Sequence, residues 1–121
     1  MSAQAAIAVV GASGHTGRFV VSEIKRRGAT PIAIGRDTAK LPIGARAARV
    51  EDAASLDAAL RDASAVINCA GPFFDTALPV IDAALRARIP YLDVTAEQLT
   101  ALNIHRQRDA AARRAGVTVV P

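Results

Sequence analysis

The sequence has no tryptophan, one tyrosine, one cysteine and three phenylalanines, and each scarcity excludes something. A lone thiol, Cys69, cannot close an internal disulfide, so the chain is not a disulfide-stapled secreted module and suits a reducing compartment. With aromatics at 3%, the apolar share is dominated by Ala and Val, which favours closely packed helix-on-sheet layers over a bulky core. No run approaches the ~20 apolar residues of a membrane span, and the opening Met-Ser-Ala-Gln-Ala-Ala lacks the charged and apolar regions of a secretory leader. A cytoplasmic protein is the expectation. Two distant histidines, His15 and His105, make no metal site, and there is no repeat, low-complexity segment or linker.

The net charge of +4 comes almost wholly from arginine. Its short clusters, Lys25-Arg26-Arg27 and Arg113-Arg114, fall where helices are expected to end, and cations complement the helix dipole there. No aromatic residues interleave with them, so nucleic acid is not the expected partner. At 121 residues the chain is one domain, too short for a cofactor domain plus a full substrate domain.

The hydrophobic pattern alternates between two periods. Ala5 to Val10 is an unbroken apolar run that stops at Gly11, as a strand buried on both faces of a parallel sheet would. From Gly14 the period turns helical, with Phe19, Val20 and Ile24 on one stripe and Gly28 as the stop. Pro31 to Ile34 reads as a second strand, Ala45 to Val50 as a third, Ser55 to Arg61 as a short helix and Ala65 to Asn68 as a fourth strand. Thr76 to Arg88 reads as a helix with Pro79 in its first turn, and Tyr91 to Val94 as a fifth strand. Thr95-Ala-Glu-Gln98 has capping-box spacing, with Thr95 accepting from the Gln98 N–H. It opens a helix that runs to about Arg114, before a sixth strand at Val117 to Val120. Strands alternating with helices predict an α/β fold: a doubly wound, six-stranded parallel sheet in a three-layer α/β/α arrangement, strand order 3-2-1-4-5-6.

The turn between the first strand and first helix carries the strongest chemical signal. Gly11, Ala12, Ser13, Gly14, His15, Thr16, Gly17 and Arg18 form a glycine-rich strand-to-helix turn of Rossmann type. Gly11 permits the tight turn, Gly14 lets the backbone approach a pyrophosphate, and Gly17 lets the helix pack close to the sheet. The helix N-terminus then offers free N–H groups to the phosphates. Ser13, His15 and Arg18 are further phosphate candidates, although His15 reads better as a surface or packing residue. No Gly-Lys-Ser/Thr follows, so this is not a nucleotide triphosphate loop.

The second strand ends in Gly35-Arg36, where an NAD-binding domain places a carboxylate for the ribose 2′-hydroxyl; Asp37 comes one residue late. Arg36 can instead pair with a 2′-phosphate through its planar fork, which favours NADP, with NAD as the alternative. The fourth strand runs into Cys69, Ala70, Gly71 and Pro72, small or rigid residues that would line the nicotinamide side. Cys69 has no placed histidine base and reads better as a small buried thiol than as a nucleophile. Asp93 is a candidate polar group near the nicotinamide or substrate, and equally a structural one. Tyr91 has Thr95 rather than lysine four residues on, so the Tyr-Lys dyad of short-chain dehydrogenases and sugar-nucleotide epimerases is absent.

Together, Gly-Ala-Ser-Gly-His-Thr-Gly-Arg, Gly35-Arg36, Asn-Cys-Ala-Gly-Pro-Phe and Tyr-Leu-Asp-Val-Thr-Ala-Glu-Gln resemble the NADP-binding domain of the saccharopine dehydrogenase-like family, which includes saccharopine reductases and trans-acting enoyl reductases. The resemblance implies NADP on Gly11 to Gly17 and Arg36, with Ala70, Gly71 and Pro72 on the nicotinamide side. It also implies a longer protein, in which a C-terminal domain binds most of a small-molecule substrate. Ala96 departs from the family's commoner Gly or Ser before Glu97. The expectation is therefore the cofactor half of an NADP-dependent oxidoreductase, unable to turn over substrate alone, with self-association left open. The alternative is a non-catalytic NAD(P)-binding or sensing module, since no residue is a convincing general acid or base.

Overall fold

The computed structural model describes residues 5–121; the Met-Ser-Ala-Gln opening read for a secretory leader lies outside them. In chain order the elements are β1 Ala6–Val10, α1 His15–Arg26, β2 Thr30–Gly35, a 3-10 turn Thr38–Lys40, β3 Arg46–Ala47, α2 Ala53–Ala59, β4 Ala65–Asn68, α3 Phe73–Ala87, β5 Tyr91–Asp93, α4 Gln98–Ala115 and β6 Val119–Val120. All strand pairs are parallel, and the order across the sheet is β3-β2-β1-β4-β5-β6. That is the doubly wound arrangement the alternating periods predict. No helix among the described residues is long and apolar enough to cross a membrane.

The two sheet faces have unequal cores. Val9 and Ala33 meet Val21 and Ile24 of α1 on one side. On the other, Ala8, Val10, Ile34, Val66 and Tyr91 meet Leu56 of α2, Ala77, Val80, Ile81 and Ala84 of α3, and Ile104 of α4. The helix faces are small because their residues are, so α3 can lie close to the strands. Away from α1, Leu92 and Val120 on the outer strands remain exposed.

Three expectations need correction. The third strand is far shorter than Ala45 to Val50: only Arg46–Ala47 pairs with β2. The Arg46 guanidinium there turns to donate to the Ala59 and Arg61 carbonyls at 2.9 and 2.6 Å, which ties the strand to the end of α2. Pro79 lies in the second turn of α3, because that helix starts at Phe73 and not at Thr76. Its ring therefore removes a hydrogen bond that the Asp75 carbonyl would have accepted. The Thr95–Gln98 box does not form. The Thr95 hydroxyl instead accepts from the Glu97 N–H at 3.1 Å, and Gln98 is the first helical residue.

The turn after β1 sits at the point where strand order reverses, with β2 and β4 on either side of β1. Gly11 has φ +76, and a Cβ there would lie 2.7 Å from the Ala70 nitrogen. Gly17 is buried at the start of α1, where a Cβ would overlap the Gly11 carbonyl oxygen and lie 2.8 Å from the Ala12 Cα. At Gly14 the same hypothetical atom would meet the Gly11 oxygen only at 3.4 Å. Equilibrium urea unfolding is therefore expected to separate them. Gly17→Ala should lose at least about 2 kcal/mol through overpacking against backbone, whereas Gly14→Ala should stay within about 1 kcal/mol of the parent.

Candidate functional site

Strands that point their carboxyl ends at one sheet edge, and a reversal of order at β1 and β4, leave a crevice there. The structure has it: a cleft of about 490 Å³ bounded by Gly11, Ser13 and Gly14 of the first turn, Arg36 after β2, and Cys69, Ala70, Gly71 and Pro72 after β4. Its remaining wall is Ala48, Val50, Glu51 and Leu56, with Asp75 and Thr76 of α3. Other depressions lie along α3 and α4, one beside His105 and Arg113 and one beside Phe73 and Phe74, and neither includes a residue of the glycine turn, Arg36 or the Cys69–Pro72 segment.

Not all of the expected residues reach the cleft. Ala12 is buried in the core beneath the turn, and Gly17 is buried against Gly11. His15 and Arg18 line a separate surface depression with Phe19 and Ser22, and the His15 ring meets Phe19 edge-on with centroids 5.2 Å apart. Thr16 is exposed in the first turn of α1 without lining the cleft. These residues shape the turn or cover its outside, and only Gly11, Ser13 and Gly14 face inward.

The turn is held by backbone bonds. Gly11 and Ala12 N–H both donate to the Ile34 carbonyl at 3.1 and 3.2 Å, and Gly14 N–H donates to the Gly11 carbonyl at 3.1 Å. The N-cap of α1 is Gly14, which has no side chain to cap with, and the first turn holds no acid. A helix start that lacks its own cap leaves donors for an outside acceptor, and the helix dipole makes that acceptor an anion. Arg36 stands exposed at the far end of the cleft. Among the described residues it forms no ion pair. Glu51 feels its charge but is bonded to Arg49 at 3.2 Å. Asp37 is spent locally, capping the 3-10 turn through the Ala39 N–H at 3.0 Å.

The opposite wall is set by a buried polar network. Asn68 Oδ1 accepts the Ala70 N–H at 3.0 Å, while its amide nitrogen donates to Thr76 Oγ1 at 3.1 Å and to the Tyr91 hydroxyl at 3.2 Å. Thr76 returns its hydroxyl proton to the Ala70 carbonyl at 2.6 Å. Tyr91 donates to Asp93 Oδ2 at 2.5 Å, and Asp93 Oδ1 accepts the Thr95 N–H at 2.9 Å. Asp93 is thus buried and committed to its neighbours, which decides between its two readings in favour of structure. Burial and the accepting Asp93 carboxylate hold the Tyr91 phenol far above its ordinary range. The Gly71-Pro72 peptide is cis, and a Cβ on Gly71 would meet nothing within 4 Å.

Sequence reasoning missed Thr76 and the Ala48–Leu56 wall of the cleft, and the reach of Glu97 to the Phe73 and Phe74 amides. Thr76 had a readable signal, a hydroxyl in the apolar stripe that continues through Ala77, Val80 and Ala84. Glu97 was passed over for its neighbour Gln98. The second wall had none, since it follows from where β3 ends.

Cys69 is half-buried in the cleft, and burial pushes its thiol up to about 11, with the Asp93 carboxylate acting in the same direction. A raised pKa leaves the thiol neutral in the folded state, so stability falls as pH climbs from the ordinary thiol range toward that value. Alkylation by iodoacetamide near neutral pH should run about a hundredfold slower than for a free cysteine, in proportion to the thiolate present. Labelling as fast as an unstructured peptide would show an exposed thiol of ordinary acidity.

Residues 7–120 match the saccharopine dehydrogenase NADP-binding domain family. A saccharopine dehydrogenase-like oxidoreductase from Bos taurus is 27% identical over 141 residues, an alignment that takes in 94% of this chain and 33% of the bovine protein. The chain thus spans about a third of that relative's length. Among solved structures, apo saccharopine dehydrogenase (L-Glu forming) from Saccharomyces cerevisiae superposes with a TM-score of 0.76 at 18% identity, over 95% of this chain and 26% of that one. UDP-N-acetylglucosamine 4-epimerase from Bacillus cereus gives 0.71 at 20% identity, over 96% of this chain and 52% of that one. At such identities these two likenesses speak to the fold alone. The family match spans nearly the whole chain, and with it the chain belongs to the saccharopine dehydrogenase NADP-binding domains.

Proposed function

We propose that the chain is the cofactor-holding part of an NADP-dependent oxidoreductase, and that the cleft at the β1–β4 edge is where NADP lies. The observation that carries this is the uncapped N-terminus of α1, which opens on the same cleft as Arg36 and the Cys69–Pro72 wall. In this reading Gly11, Ser13 and Gly14 seat the pyrophosphate, Arg36 pairs with the 2′-phosphate and stacks on the adenine, and Ala70, Gly71 and Pro72 face the nicotinamide. The residues fit such a group. Gly14 leaves space a side chain would fill, and Arg36 has no competing ion pair among the described residues.

The bound nicotinamide would carry the hydride, donated by NADPH or accepted by NADP; the protein supplies binding, orientation and electrostatics. Further substrate contacts would come from a domain outside this chain, a view supported by the chain's span of about a third of the bovine relative. The location we propose is the cytoplasm, which suits a free thiol at Cys69.

The second reading, a binding or sensing module without turnover, has one observation in its favour. Two side chains at or behind the nicotinamide wall that could move a proton are held: Cys69 neutral by burial, and Tyr91 bonded to Asp93. Oxidation of NADPH by the protein in the presence of a carbonyl, imine or enoyl substrate requires an enzyme, and absence of turnover on all three with the substrate-binding domain attached favours the binding module.

Calorimetry should show NADPH bound in preference to NADH, and absent or equal binding of both would defeat the NADP assignment. Arg36→Asp should weaken NADPH by more than about tenfold, or ~1.4 kcal/mol, and narrow its advantage over NADH. An unchanged preference would leave Arg36 as a solvated arginine.

A further inference from the structure

Of the helix N-termini at the carboxyl edge of the sheet, those that follow the central strands β1 and β4 are treated oppositely. That of α1 is open. That of α3 starts at Pro72, which has no side-chain cap to offer, yet its first amides are not free. Phe73 N–H donates to Glu97 Oε2 at 3.1 Å and Phe74 N–H to Glu97 Oε1 at 2.9 Å, across 24 and 23 positions of sequence.

Glu97 is itself held from two directions. The Thr100 hydroxyl donates to its Oε1 at 2.9 Å, and its own N–H donates to Thr95 Oγ1 at 3.1 Å. Thr95 in turn is fixed by Asp93, and Asp93 by Tyr91. One half-buried carboxylate therefore joins the start of α4 to the start of α3. The segment between β4 and α3 is consequently pinned at both ends: by Asn68 and Thr76 at Ala70, and by Glu97 at Phe73 and Phe74. Charge-assisted bonds from a carboxylate to helix-terminal amides are among the stronger polar contacts a protein makes.

We propose that Glu97 is a positioning residue for the cofactor site: by accepting the Phe73 and Phe74 amides it holds the Cys69–Pro72 wall in the shape that receives the nicotinamide half of NADP. The proposal rests on the cofactor reading of the cleft. Glu97 lines none of the cleft, so its action passes through the wall and not through contact with the ligand. It also closes the α3 N-terminus to phosphate, which leaves α1 as the helix that takes it.

The test compares two probes by calorimetry. NADPH spans the whole cleft, whereas adenosine 2′,5′-bisphosphate reaches from Arg36 to the glycine turn and lacks the nicotinamide half. Glu97→Ala should weaken NADPH by about tenfold while leaving the bisphosphate within about twofold, and Glu97→Gln, which keeps one acceptor oxygen, should fall between. Thr100→Val, which removes the hydroxyl that orients Glu97 without touching the wall, should give a smaller loss confined to NADPH, and decides the matter if Glu97→Ala does not fold. Equal losses on both probes would overturn the positioning role, as would NADPH affinity unchanged in a folded variant. Failure of the unsubstituted protein to bind NADPH would defeat the cofactor reading as well; failure of the variants alone to discriminate would defeat only the role of Glu97.

Discussion

The Gly11 backbone passes so near the chain after β4 that a single methyl group would have to share space with the Ala70 nitrogen. That approach brings the ends of β1 and β4 together at the reversal of strand order. Everything at the carboxyl edge follows from it: the path of the turn, the burial of Gly17 against the Gly11 carbonyl, and the cleft between the first turn and the Cys69–Pro72 wall. The positive φ of Gly11 and the lack of a side chain at Gly17 are two parts of one steric constraint. Its gain is a helix start brought within reach of a ligand with no side chain in the way.

The chemistry of the edge is divided between two kinds of polar group. Backbone amides at the α1 N-terminus have no partner side chain and are available to an anion. Polar side chains on the other side are consumed by one another: Asn68, Thr76, Tyr91 and Asp93 form a closed set of buried hydrogen bonds, and no buried side-chain polar atom among the described residues lacks a partner. Such a network is rigid because breaking any one bond strands another group in a medium that cannot solvate it. Rigidity belongs on the wall side, where geometry relative to the nicotinamide matters. Openness belongs on the phosphate side, where charge does most of the holding.

Much of this was legible in the residues. Short apolar runs ending at Gly11 and Gly35 marked β1 and β2, a helical stripe ending at Gly28 marked α1, and the spacing of Gly11, Gly14 and Gly17 located the turn. The parallel order followed because only right-handed crossovers connect such units. What could not be read depends on contacts between distant positions. β3 is short because Arg46 turns toward the end of α2, and Pro79 is tolerated in the second turn because packing along Ala77, Val80 and Ile81 holds α3 regardless. Gln98 looked like the partner of Thr95 by local spacing, yet the acid beside it was committed to a helix start 24 positions away. Local rules see a cap's own helix and not its neighbour's. For the same reason the outward placement of His15 and Arg18 was hidden: a turn of given sequence does not say which of its side chains the helix will rotate away from the ligand.

The aromatic poverty of the chain has an optical meaning. With no tryptophan and one tyrosine, nearly all side-chain absorption and emission in the near ultraviolet comes from the phenol of Tyr91, which is fully buried and bonded to Asp93 and Asn68. Asn68 is also the residue that fixes Ala70 on the cofactor wall. The protein therefore carries one chromophore, set a single side chain away from that wall. Its near-ultraviolet circular dichroism is a single-site signal for the order of the wall, free of the averaging over many rings that blurs such spectra in most proteins.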